Sequence, residues 1–97
     1  VDFLDEPTGH HSNRWLTCVV LPSQSQRDRL LELYNESGIE VRPLWKPMHL
    51  QPVYRDFPYY GGAVADALFR RGLCLPSGTQ LTEEEQDEII EISRRVL

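Results

Sequence analysis

Lysine is almost missing from this chain. Nine of its ten basic residues are arginine, and Lys46 stands alone. The formal net charge of −5 at pH 7 leaves no cationic surplus. That argues against a nucleic-acid partner, because neutralising phosphates takes an excess of Lys and Arg. Long apolar runs are lacking too. Nothing resembles a signal peptide or approaches the roughly 20 apolar residues of a membrane span, so no membrane partner and a cytoplasmic setting are expected. Cysteine is scarce, with only Cys18 and Cys74 and no Cys-x-x-Cys spacing, which leaves a structural zinc site without support. Each cysteine sits in an apolar run, Leu-Thr-Cys-Val-Val and Leu-Cys-Leu, and the pair reads as two buried free thiols in a reducing compartment. An initiator methionine is also missing, since position 1 is Val1, and this reads as a piece of a larger protein.

What is present is ordinary globular composition, 40% hydrophobic and 26% charged over 97 residues, which argues against disorder. This is one small domain's worth of chain, with a thin core. Residues 1–14 carry Pro7, Gly9 and Asn13 without a clear period and read as a surface lead-in. Trp15 to Leu21 is β-branched and apolar and reads as a buried strand. Ser23 and Ser25 offer N-cap oxygens to a helix ending near Ser37. Its Leu30, Leu33 and Tyr34 share one face, and Gly38 supplies a left-handed stop. Ile39 to Trp45 reads as a second, short or edge strand interrupted by Pro43. Ala63 to Arg71 reads as a short helix pairing Val64 with Leu68 and Ala65 with Phe69, with Gly72 ending it and Arg70 and Arg71 at its C-terminal end. Leu73 to Leu75 is a very short third strand stopped by Pro76. Thr82 and Glu85 form a capping box for a last helix whose inner face is Ile89, Ile92 and Val96. The expected fold is α+β, a small, mostly antiparallel sheet with packed helices near residues 25–37, 63–71 and 82–95.

The most specific stretch is the loop from Arg42 to Tyr54. From Lys46 to Pro58 the chain holds three prolines, Pro47, Pro52 and Pro58, too many for a regular element. The stretch is also too rich in large side chains for an idle linker. Arg42 suits a carboxylate or phosphate, His49 an anion or a proton, and Trp45 a flat ring. Mounting them on a stiff loop lowers the ordering cost of binding. The set suits an anionic, ring-bearing ligand.

This loop, with Ser12 to Thr17 before it and Gly72 to Gly78 after it, resembles the C-terminal part of the DegT/DnrJ/EryC1/StrS family. Those enzymes use pyridoxal phosphate to aminate keto-sugars carried on nucleotides. The phrase Leu-Trp-Lys-Pro-Met-His-Leu-Gln-Pro is similar to the branch acting on a UDP-linked 4-keto-6-deoxy sugar. The resemblance implies that residues 1–97 are the C-terminal small domain of a fold-type I aminotransferase in polysaccharide biosynthesis. It implies glutamate as amino donor, a homodimer when full length, and a large N-terminal domain holding pyridoxal phosphate and its Schiff-base lysine. Lys46, pinned between Trp45 and Pro47, lacks the cofactor pocket such a lysine needs, so the chain alone is expected to be inactive.

The resemblance places His49 beside the sugar nucleotide or cofactor, with Arg42, Trp45, Gln51 and Tyr54 as further substrate contacts. Each has a plainer alternative. His49 could bond a backbone carbonyl, Arg42 could pair with Glu40, Trp45 could wedge into the core, and Gln51 and Tyr54 could only fix the loop. Asn13 and Trp15 read as residues fixing the approach to the first strand. His10 and His11 lack further metal ligands and read as solvent-exposed. The alternative function is a freestanding small-molecule-binding or regulatory module, and a third is a protein-interaction domain.

Overall fold

The computed structural model describes residues 6–97. In chain order it forms β1 (Thr17–Val20), α1 (Gln24–Glu36), β2 (Arg42–Pro43), α2 (Val64–Arg71), β3 (Gly72–Leu75) and α3 (Glu83–Arg94). Two 3₁₀ turns, Met48–Leu50 and Pro52–Tyr54, lie between β2 and α2. The latest strand in sequence is the central one, antiparallel to β1 on one side and to β2 on the other. β1 and β2 are thus joined through α1 and run parallel with β3 between them, a split β-α-β unit. The α+β fold with an antiparallel sheet and three helices is the one expected.

The strands are shorter than Trp15–Leu21 and Ile39–Trp45, and the reason is the central partner. β3 follows directly on the end of α2 and stops before Pro76, which has no N–H to extend a ladder, so four residues are all it offers. β2 pairs only through Arg42 and Pro43, on the edge where a proline is tolerated. The start of β1 is set by side chains: Trp15 N donates to Asn13 Oδ1 at 3.2 Å and Thr17 N to Ser77 Oγ at 2.8 Å.

The helix ends follow their caps. Ser23 Oγ accepts from Gln26 N at 3.2 Å, and past the C-terminus Gly38 at φ 73 lets Ile39 N return to Tyr34 O at 2.9 Å. At α3 the capping box closes both ways, Glu85 N to Thr82 Oγ1 at 3.2 Å and Thr82 N to Glu85 Oε2 at 2.8 Å. Leu30 and Tyr34 of α1 and Ile89 and Ile92 of α3 meet Val19, Leu21, Val41 and Leu73 to form the core. Leu33 and Val96 pack against its edge. Tyr34 is fully buried, yet its hydroxyl donates to Ile89 O at 2.8 Å and lies 2.7 Å from Ser93 Oγ. A buried hydroxyl without such partners would be costly. Burial pushes the Tyr34 hydroxyl above its ordinary pKa, partly offset by the Ser93 bond.

Val64 and Leu68 share a face of α2 as expected, and that face lies outside the core, with Val64 72% exposed. One expectation needs correcting. Cys74 is buried while Cys18, on the edge strand β1, is only half-buried, and both are free thiols.

Candidate functional site

Leu44 anchors the central loop, its N–H donating to Gly72 O at 3.3 Å. Glycine is needed opposite: a Cβ on Gly72 would run into the Leu44 side chain and come 2.7 Å from Leu68 O. Beyond Leu44 the prolines shape the chain. Pro47 and Pro52 open the two 3₁₀ turns, where a missing N–H costs nothing. Leu50 N then bonds Pro47 O, and Tyr54 N bonds Gln51 O, each at 3.0 Å.

This path delivers His49 to α2. Its Nε2 lies 2.7 Å from Oδ1 of Asp66, in the first turn of that helix, and both side chains are about four-fifths buried. The Asp66 oxygen meets no aligned hydrogen-bond donor among the described residues, so the pairing is a close polar contact and not a well-directed bond. The imidazole stacks on Tyr59, with ring centroids 3.8 Å apart at 25°. Tyr59 is itself tied down by its hydroxyl, which donates to Gly62 O at 2.6 Å. Carboxylate and phenol ring together hold the imidazole in one orientation, and its Nδ1 has no hydrogen-bond partner among the described residues.

The other sequence candidates divide into two groups. Arg42 and Trp45 line an open cleft of about 1070 Å³, which Trp15, Ser77, Gln80 and Glu88 also line. Trp45 tilts against Trp15, centroids 5.9 Å apart, and both remain about two-thirds exposed. Trp45 is therefore not wedged into the core. Arg42 reaches back to Glu40 Oε1 through Nε at 2.9 Å and a terminal nitrogen at 2.5 Å, so an incoming anion would compete with that carboxylate. His49, Gln51 and Tyr54 do not line this cleft. Gln51 Nε2 bonds Lys46 O at 3.4 Å and approaches Met48 Sδ at 3.6 Å, and Tyr54 meets Phe57 edge-on at 6.2 Å. Both side chains brace the loop.

Asp66 and Tyr59 were absent from the sequence candidates. The available signal was an acidic residue in the first turn of a short helix whose other polar residues are arginines. Nothing in sequence linked it to a histidine seventeen positions earlier. Among the described residues no cluster of three metal-ligating side chains exists, and no helix is long and apolar enough to cross a membrane. Lys46 is exposed on the loop.

Three kinds of comparison agree. The profile of the DegT/DnrJ/EryC1/StrS aminotransferase family matches residues 2–94. EpsN of Bacillus subtilis, named a pyridoxal phosphate-dependent aminotransferase, is 42% identical over 96 residues, covering 95% of this chain and 25% of EpsN. GDP-perosamine synthase of Caulobacter vibrioides is 34% identical over 92 residues, covering 93% of this chain and 24% of the synthase. The crystal structure of a DegT DnrJ EryC1 StrS aminotransferase from Brucella abortus superposes with a TM-score of 0.79 at 30% identity, covering 94% of this chain and 24% of that one. The chain thus spans about a quarter of the length of the relatives it matches.

Proposed function

The chain belongs to the DegT/DnrJ/EryC1/StrS aminotransferase family, and from that membership we propose that it is the C-terminal small domain of a sugar-nucleotide aminotransferase. In this reading the parent enzyme is a cytoplasmic homodimer that moves the amino group of glutamate onto a UDP-linked 4-keto-6-deoxy sugar for polysaccharide synthesis. The cofactor, pyridoxal phosphate, and its lysine belong to the large domain, and residues 1–97 alone do not transaminate. The role of this domain is to bind and orient. His49 turns Nδ1 toward a hydroxyl or phosphate oxygen of the substrate, and Arg42 and Trp45 offer a cation and a flat surface at the neighbouring cleft. Gln51 and Tyr54 line the substrate side of the same loop.

One observation carries the reading: His49 is clamped between Asp66 and Tyr59 while its Nδ1 has no hydrogen-bond partner among the described residues. A side chain already held in place loses little freedom on binding, so its contact with ligand is worth more. The exposed Met48, Val53, Phe57 and Tyr60 around it support a covered surface in the parent enzyme, the large domain being the covering body.

The test is to supply the full-length enzyme with glutamate and, in parallel, with UDP-linked and GDP-linked 4-keto-6-deoxy sugars, and to detect the amino sugar by mass spectrometry. Turnover of the UDP sugar supports the proposal. Turnover of the GDP sugar alone keeps the activity and corrects the nucleotide, in line with the name of the synthases it resembles. No turnover of either by cofactor-loaded enzyme overturns it.

A further inference from the structure

Cys18 and Cys74 have no part in the reading above, yet they face each other across the sheet as partners in the β1–β3 ladder. The kind of pair they make follows from the hydrogen bonds at the ladder's end. Leu21 N donates to Arg71 O at 2.9 Å, which marks that position as hydrogen-bonded. In an antiparallel ladder the pairs alternate. Val20 opposite Gly72 is therefore a non-hydrogen-bonded pair, Val19 opposite Leu73 a hydrogen-bonded one, and Cys18 opposite Cys74 again non-hydrogen-bonded. The other edge agrees: Gly72 O is taken by Leu44 on the β2 side, and Cys74, two residues on, turns its backbone groups the same way.

Non-hydrogen-bonded pairs bring Cα atoms to about 4.5 Å and their side chains closest together. That separation falls within the roughly 4.4–6.8 Å that a disulfide spans. The two Sγ atoms are 3.7 Å apart, in contact but unbonded. Alternation along the strands points both thiols away from the face that carries Val19 and Leu73 into the core. Cys18 is half-buried, so a small reagent has a route to it.

We propose that Cys18 and Cys74 form a dithiol oxidation site, at which a small-molecule disulfide of the glutathione class converts the pair to a cross-strand disulfide joining β1 to β3. The Cys18 thiolate attacks one sulfur of the small disulfide, forms a mixed disulfide and expels one small thiolate. The Cys74 thiolate then attacks the Cys18 sulfur, the new S–S bond forms, and the second small thiolate leaves. Two protein thiols are oxidised by two electrons, one small disulfide is reduced to two thiols, and the two protons pass to the leaving thiolates. Burial first, and then contact with Cys18, push the Cys74 thiol up to about 11, which makes the second step the slow one at neutral pH. The bond would tie the strand leading into Ser77 to the strand leading out of Trp15, two residues that line the cleft.

The experiment equilibrates the 97-residue chain with glutathione disulfide, denatures it in N-ethylmaleimide, and reads the intact mass. The expected result is a monomer lighter than the reduced chain by two hydrogens, carrying no maleimide and no glutathione. Dithiothreitol should restore two maleimide-reactive thiols, and the oxidised form should melt at higher temperature than the reduced one. A chain that stops at one bound glutathione, that links into dimers, or that keeps both thiols alkylatable at equilibrium overturns the proposal. Cys74→Ser should stop at a single glutathione on Cys18. The wild-type mass decides the matter even if that variant fails to fold.

Discussion

The sheet-and-helix body and the loop from Trp45 to Gly62 treat their large side chains in opposite ways. In the body, Leu21, Leu30, Tyr34 and Leu73 are no more than 1% exposed, and the buried Tyr34 hydroxyl has two partners. In the loop, Trp45, Val53, Phe57 and Tyr60 are each more than 60% exposed, although the backbone is pinned by prolines and 3₁₀ hydrogen bonds. A segment can thus be conformationally ordered without being packed. The body spends its apolar surface on folding, while the loop holds its apolar surface outward in a fixed shape, which suits a surface completed by a partner.

The sharpest way to break this comparison is truncation on each side. Leu30→Ala should cost about 2–5 kcal/mol of stability, the usual range for a buried leucine, read by urea denaturation of the chain. Phe57→Ala, in the loop, should stay within about 0.5 kcal/mol. Equal losses would mean that the loop is part of the same packed unit.

Next in size is the effect on activity in the parent enzyme. His49→Ala should reduce kcat/KM for the sugar nucleotide about 10- to 150-fold, the worth of one hydrogen bond to a charged group, about 1.5–3 kcal/mol. The half-reaction with the amino donor should be retained. Asp66→Asn should lose part of the same kcat/KM, and the double variant should be no worse than His49→Ala, because the two side chains act through one contact. Additive losses would separate them.

Alkaline titration probes the body alone. Cys74 is raised to about 11 and Tyr34 is raised above its ordinary value near 10. Each binds its proton more tightly in the folded state, so its contribution is complete below the unfolded pKa and is lost as pH rises through the folded one. The urea midpoint should hold up to about pH 9 and fall from there through about 11, and Cys74→Ser should delay the onset of the fall. The smallest effect belongs to the surface: Arg42→Ala should change stability by no more than about 1 kcal/mol, since its pair with Glu40 is exposed. A larger loss would show that Arg42 braces the edge strand.

The elements most legible in the sequence are those whose signals are local. Ser23, Gly38, Thr82 and Glu85 mark helix ends through contacts within four residues, and the structure uses each of them. The strand lengths were not legible, because β1 and β2 can be no longer than the pairing β3 supplies, and that pairing is non-local. The loop's irregularity could be read from its prolines, but the partners of its side chains could not. Arg42 finds its neighbour Glu40, as the plain ion-pair alternative had it, whereas His49 finds Asp66 across a turn of chain that no periodicity encodes. The ladder register that sets Cys18 against Cys74 is hidden for the same reason.

The most direct test of the account is a crystal structure of the full-length enzyme with its sugar nucleotide bound. The account predicts Trp45, Phe57 and Tyr60 covered by the large domain or substrate, and His49 Nδ1 within about 3.2 Å of a substrate hydroxyl or phosphate oxygen. It would be contradicted by a sugar nucleotide bound elsewhere while His49 and the loop aromatics still face water.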